Sequence, residues 1–181
     1  GYLERGGFIA TLEQTPADAL QLLQEYASRT VAMDVVERYD VKNPRLASLF
    51  LARCMASSGR ELSVNKVYNE FKSRQISVSR NTLSDLLEYY EDAYLLFSVP
   101  EFTRSLANNT RSASKVYAVD PAMFGAFSPA SALDHGQRLE TAVFNALRRR
   151  TPAVRPGSVC RLLIKDKNKS HEVDFVAGDA L

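Results

Sequence analysis

One stretch constrains this chain more than any other: residues 63–94, SVNKVYNEFKSRQISVSRNTLSDLLEYYEDAY. Val64, Val67, Tyr68 and Phe71 recur at helical spacing and form a single apolar stripe. Ser63 is placed to cap that helix. In the link 73–79, Ile76 and Val78 are apolar and suited to the same core. Ser79 then caps a second helix, whose stripe is Leu83, Leu86, Leu87, Tyr90 and Tyr94. A short helix, a tight turn and a longer helix make the helix-turn-helix pattern, whose second helix can enter a DNA major groove. Small helical bundles repeat the same pattern, so the pattern alone does not specify DNA.

The segments on either side set the context. Thr15-Pro16-Ala17-Asp18 reads as a helix start, with Thr15 as cap, Pro16 in the first helical position and Asp18 at the positive end of the dipole. Leu20, Leu23 and Ala27 are expected on one face, and a second helical run covers 31–39. This leader has too few apolar residues for a core of its own. Asn43-Pro44 opens the next helix in the same way, with Leu46, Leu49, Phe50 and Cys54 as its stripe and Gly59 as a C-terminal stop. Residues 95–99 and 115–119 read as antiparallel strands. The segment between them, 103–114, is rich in Ser, Asn and Arg. Three helices followed by a hairpin with a polar tip predict a winged helix.

From Asp120-Pro121 the texture changes. Residues 123–132 read as a loop or short helical turn. A helix follows with Leu139, Val143, Phe144 and Leu147 as its stripe, closing on Arg148-Arg149-Arg150. Beyond a Pro-rich link at 151–157, strands at 159–165 and 171–177 flank a turn at 166–169. Helix plus hairpin cannot close a core unaided. The start at Gly1 without methionine and the stop at Leu181 after a strand-like run both predict a piece of a longer chain.

The chain has 181 residues, 45% hydrophobic and 24% charged, which suits one large or two small globular domains. A net charge of +2 and a pI near 8.6 permit a nucleic-acid partner without demanding one. Cys54 and Cys160 sit among apolar neighbours and read as core residues of a reducing, cytoplasmic protein. With His135 and His171 at no ligand-like spacing, a structural zinc site is not expected. No apolar run approaches the roughly 20 residues that span a bilayer.

No glycine loop of the GxxxxGK or GxGxxG kind is present, and Gly6-Gly7 lacks the lysine that a phosphate site would need. Two groups of charged residues remain. Glu140 lies early on a helix, and Asp174 lies on a strand where Glu172 shares its face and Val173 and Phe175 take the other. An acid on a sheet with a second on an adjacent helix can hold a divalent metal for phosphodiester hydrolysis. The same residues suit an edge hairpin with a solvated face. For DNA, Arg80, Asn81 and Ser84 at the start of the second helix are candidates for base or phosphate contact, joined by Lys66, Lys72, Arg74 and, in the wing, Arg104 and Arg111. Further along, Asp85, Glu88, Glu91 and Asp92 would repel phosphate.

Taken together, these residues resemble the C-terminal part of a large group of bacterial and archaeal AAA+-type ATPases. In those proteins a P-loop ATPase domain is followed by a winged helix and a PD-(D/E)xK nuclease-like domain. The likeness rests on Tyr2-Leu3 with Gly6-Gly7-Phe8, on Asp34-Val-Val-Glu-Arg-Tyr39, and on the helical block 46–96. It continues through Lys115-Val-Tyr117 with Asp120, Gly136 with Glu140, and Glu172-Val-Asp-Phe-Val176. Met33 stands where the group often has arginine, and Ile9 where it has proline. The resemblance implies that Glu140 is the helix acid and Asp174 the metal-binding aspartate of the nuclease-like sheet. It also implies that the Walker motifs, ATP and magnesium belong to a part preceding Gly1. The (D/E)xK strand with its lysine would follow Asp174.

The expected fold is therefore α+β and mostly helical: a leader over 1–40, a winged helix-turn-helix over 41–120, and a truncated PD-(D/E)xK nuclease-like α/β segment over 121–181. Three functions follow as expectations. The piece binds duplex DNA as a regulatory region without ATPase activity; or it is a scaffold that docks on its own ATPase domain; or the intact parent is a metal-dependent nuclease with Glu140 and Asp174 as ligands.

Overall fold

The computed structural model describes residues 1–102, 113–128, 135–150, 159–166 and 169–177. Among them the chain is α+β and mostly helical. In order come α1 (Tyr2–Arg5), a 3₁₀ turn (Ile9–Thr11), α2 (Pro16–Thr30) running on into π-helical Val31–Glu37, α3 (Pro44–Met55), β1 (Arg60–Leu62), α4 (Val64–Ser73) and α5 (Arg80–Asp92). Then follow β2 (Leu96–Val99), β3 (Ser114–Ala118), α6 (Pro121–Phe127), α7 (His135–Arg150), β4 (Val159–Asp166) and β5 (Lys169–Ala177). No helix among the described residues is long and apolar enough to cross a membrane.

Helix starts follow local chemistry. Thr15 Oγ1 accepts from the Asp18 amide at 3.2 Å, and Asn43 Oδ1 from Leu46 at 3.0 Å. Ser63 Oγ accepts from Lys66 at 3.3 Å and Ser79 Oγ from Thr82 at 3.0 Å. Each satisfies an amide that the helix itself leaves unpaired, worth about 1 kcal/mol. Proline occupies the first turn of α2 and α3, where its missing N–H costs nothing.

The main core takes Leu23, Ala27, Val31 and Val35 from the leader, Phe50 and Leu51 from α3, and Phe71 from α4. Leu83, Leu86 and Tyr90 from α5, Val116 from β3 and Met123 from α6 complete it. It runs through residues on both sides of positions 40 and 120. The leader's buried row steps by four through Ala19, Leu23 and Ala27, which leaves Leu20 exposed. Leu49 is exposed on α3 for the same reason, because Ala47 and Leu51 face inward instead. Tyr94 is also exposed: α5 ends at Asp92, and a left-handed turn (φ 56°) swings Tyr94 outward.

The sheet has the order β1-β3-β2, antiparallel throughout. The pairing of β2 with β3 matches the expected hairpin, whereas β1 is an additional strand. The Gly59 amide donates to Val116 O at 2.8 Å with φ +78°, and this left-handed residue delivers the chain into β1. Alternate residues face opposite ways. Leu96, Val116 and Ala118 enter the main core; Phe97, Val99 and Tyr117 join Phe144, Val159 and Phe175 in a second cluster. That second face is where α7 and the β4–β5 hairpin pack. β4 is tied on past the end of β2, with the Arg161 amide donating to Pro100 O at 3.0 Å and Phe102 donating to Arg161 O at 2.6 Å.

On α7 the buried side is Thr141, Phe144 and Asn145, while Leu139 and Val143 are exposed. Hydrogen bonds set this rotation. Thr141 Oγ1 lies 3.0 Å from Ser58 Oγ, and Asn145 Nδ2 donates to Ala118 O at 3.0 Å. Both cysteines, Cys54 and Cys160, are buried.

Candidate functional site

The structure gathers charge at the seam between the sheet and the last helix and hairpin. Lys115 sits on β3 in phase with Tyr117, so it points to the second face, and its side chain is 8% exposed. Its Nζ donates to Glu140 Oε1 at 2.7 Å and to Asp174 Oδ1 at 2.9 Å, and it lies 2.9 Å from Glu172 Oε1. Tyr117 Oη donates to the same Glu140 oxygen at 2.6 Å. Burial works against the charge on Lys115, but the three carboxylates outweigh it and hold the ammonium above the usual lysine range. Burial, then the Glu140 hydrogen bond, holds the Tyr117 phenol well above its ordinary value.

Glu140 and Asp174 are thus brought together, as a shared ligand set requires, and Glu172 joins them. At their centre stands an ammonium ion. Among the described residues no group of three or more His, Cys, Asp or Glu is arranged to hold a metal, so a divalent ion would have to displace Lys115 from between these acids. The strand geometry also differs from simple alternation. Between the pairs Cys160–Val176 and Leu162–Val173, β4 advances two residues and β5 three. This slip turns Phe175 onto Tyr117 (ring centroids 5.4 Å apart) while Val173 stays exposed, so the two do not share a face.

Arg161, 2% exposed, extends the cluster. Its Nη1 lies 2.5 Å from Glu61 Oε1 and 3.7 Å from Glu172 Oε1, and its Nη2 donates to Ala113 O at 2.7 Å. Sequence reasoning passed over Lys115 and Arg161 as site residues. The available signal was a lysine in phase with an apolar tyrosine on a strand, and an arginine inside the apolar run 159–164.

Of the DNA-contact candidates, Arg80 and Ser84 lie beside the face of β3 opposite Lys115. Arg80, Asn81 and Ser84 are exposed on the first two turns of α5, Lys66 and Lys72 are exposed on α4, and Arg74 is exposed just past its end. Arg80 stacks on Tyr68, with Cζ 4.5 Å from the ring centroid. Arg74 pairs with Glu70 at 3.2 Å. Arg80 and Ser84 line a groove of about 380 Å³ together with Leu62, Val64, Asn65, Ser114 and Val116. Lys66, Lys72, Arg74 and Asn81 do not line it, and Arg104 and Arg111 lie outside the described residues. Two of the acids expected to repel phosphate are engaged internally: Glu91 accepts from the Ser98 amide, and Asp92 from Tyr39 Oη at 2.7 Å. Asp85 and Glu88 remain exposed.

The sequence matches the family described as "Domain of unknown function (DUF8612)" over residues 1–134, and the chain belongs to that family. It is 32% identical over 176 residues to an uncharacterized protein of Methanocaldococcus jannaschii, covering 97% of this chain and 38% of that protein. It is 23% identical over 179 residues to an uncharacterized protein of Haemophilus influenzae, covering 99% of this chain and 42% of that one. The chain therefore spans about two fifths of the length of these relatives. No solved structure matches it.

Proposed function

We propose that this chain is a DNA-binding regulatory region, a winged helix-turn-helix followed by a nuclease-like segment, within a longer AAA+-type ATPase. The observation that carries the DNA reading is the groove in which Arg80 and Ser84, at the free start of α5, face the sheet. An exposed guanidinium already stacked on Tyr68 loses little freedom on meeting a phosphate. The element order α3-β1-α4-α5-β2-β3 supports the winged-helix description. With Asp85 and Glu88 exposed further along α5, contact is made by its first turns, end-on.

Fluorescence anisotropy with a labelled duplex tests this. Binding is expected to weaken with salt at a slope near −0.9 per phosphate contacted, and Arg80→Ala is expected to reduce that slope by about one. No binding at low salt overturns the reading and leaves the module as a scaffold for its own ATPase domain. The meeting of Glu140 and Asp174 on one ammonium favours a second reading, a metal-dependent nuclease in the intact parent. Magnesium-dependent cleavage by the full-length protein, lost in Asp174→Asn, is its test.

A further inference from the structure

Strand β3 is a partition with a different task on each face. Ser114 and Val116 line the groove beside Arg80, while Lys115 and Tyr117, in antiphase, bind Glu140 on the far side. The other residues of the groove's sheet wall are tied to the same cluster by their own atoms or their neighbours. Ala113 O accepts from Arg161, and Leu62 follows Glu61, which pairs with Arg161. Every wall residue from the sheet is therefore held from behind by a charge network drawn from β1, β3, α7, β4 and β5.

We propose that Lys115 with Glu140, Glu172 and Asp174 is a positioning clamp for the groove: it sets nucleic-acid affinity from the reverse face of β3 without touching the ligand. This rests on the DNA-binding reading. A strand fixed by three ion pairs at Lys115 and by the Tyr117 hydrogen bond to Glu140 presents Ser114 and Val116 at one height and one tilt relative to Arg80. Release of the contacts lets the wall move, and the ligand must then restore it. By reciprocity, a filled groove tightens the clamp.

The clamp separates from simple field effects by sign. Asp174→Asn and Glu140→Gln each remove a negative charge, so electrostatics alone would tighten duplex binding, whereas Lys115→Met would weaken it. The clamp predicts that all three weaken binding, by about fivefold or more. Binding by Asp174→Asn and Glu140→Gln as tight as native, or tighter, overturns it. Asp174, with a side chain 54% exposed, is the substitution least able to disturb folding. A second measurement needs no ligand. In Asp174→Asn, amide exchange at Leu62 and Val116 should quicken about fivefold relative to Phe50 and Leu51 in the core, a ratio that general destabilisation leaves unmoved. An unchanged ratio overturns the clamp whether or not DNA binds. A quickened ratio without duplex binding keeps the clamp and removes DNA as the ligand.

Discussion

A β-carbon added to Gly6 would stand 1.9 Å from Oδ1 of Asp120. The same carboxylate caps α6 through the Ala122 amide at 2.8 Å and accepts from the Gly7 amide at 2.7 Å. One buried aspartate thus ties the start of the chain to the start of α6. Gly6→Ala meets both this contact and a left-handed backbone (φ +70°), where strain alone costs roughly 1–3 kcal/mol. Urea denaturation should show a loss at or above that range; an unchanged midpoint would refute the packing described.

Alkali should find this fold at the Lys115 cluster. Both Lys115 and Tyr117 have pKa values raised by folding. Their contribution is fully present below the unfolded values of about 10.4 and 10 and is lost as pH rises through the folded ones. Urea midpoints are expected to hold from neutrality to about pH 9 and to fall above pH 10. The double variant Lys115→Met with Tyr117→Phe should fall less steeply over that window.

The thiols should be silent. Cys54 is 1% exposed and Cys160 7%, and burial pushes both thiols up. A thiolate is what reacts with Ellman's reagent. Neither cysteine is expected to label near neutral pH until urea unfolds the chain, when both do. Rapid labelling of either in buffer would contradict the burial.

Tyr90 offers a finer test of the core. Its side chain is fully buried, and its hydroxyl donates to Ala47 O at 2.5 Å, joining α5 to α3. Tyr90→Phe keeps the ring and removes the donor, at an expected cost of about 1 kcal/mol. Tyr90→Ala removes the packing too, at about 3–5 kcal/mol. Thermal melts that fail to separate the two would show that the ring contributes little.

What could be read from the sequence was what local chemistry decides. Thr15-Pro16, Asn43-Pro44, Ser63 and Ser79 each start a helix, because cap and amide lie three residues apart. The β2–β3 hairpin was legible from its apolar runs. β1 was not, since three residues reading Arg-Glu-Leu carry no alternation and exist as a strand only through Val116 and its neighbours. On α7, Phe144 and Leu147 pack inward as expected but Leu139 and Val143 do not, because Ser58 and Ala118, both far away in sequence, draw Thr141 and Asn145 inward. At the acid cluster, Glu140 and Asp174 were singled out by resemblance and by strand phase. Lys115 between them is a tertiary fact that no spacing encodes.

The shared core has a consequence for descent. Leu23, Phe50, Leu86, Val116 and Met123 come from five elements and close over one another. A gene segment carrying only the three central helices and their hairpin would arrive in a new protein with that core open on two sides. Inheritance must therefore move α2 through α6 as one piece, and the family match over residues 1–134 encloses it. By contrast, α7 and the β4–β5 hairpin meet the sheet's other face through a small aromatic cluster, the hydrogen bonds of Thr141, Asn145 and Arg161, and one charged seam. They add a second, smaller cluster to a piece whose main core α2 through α6 already close.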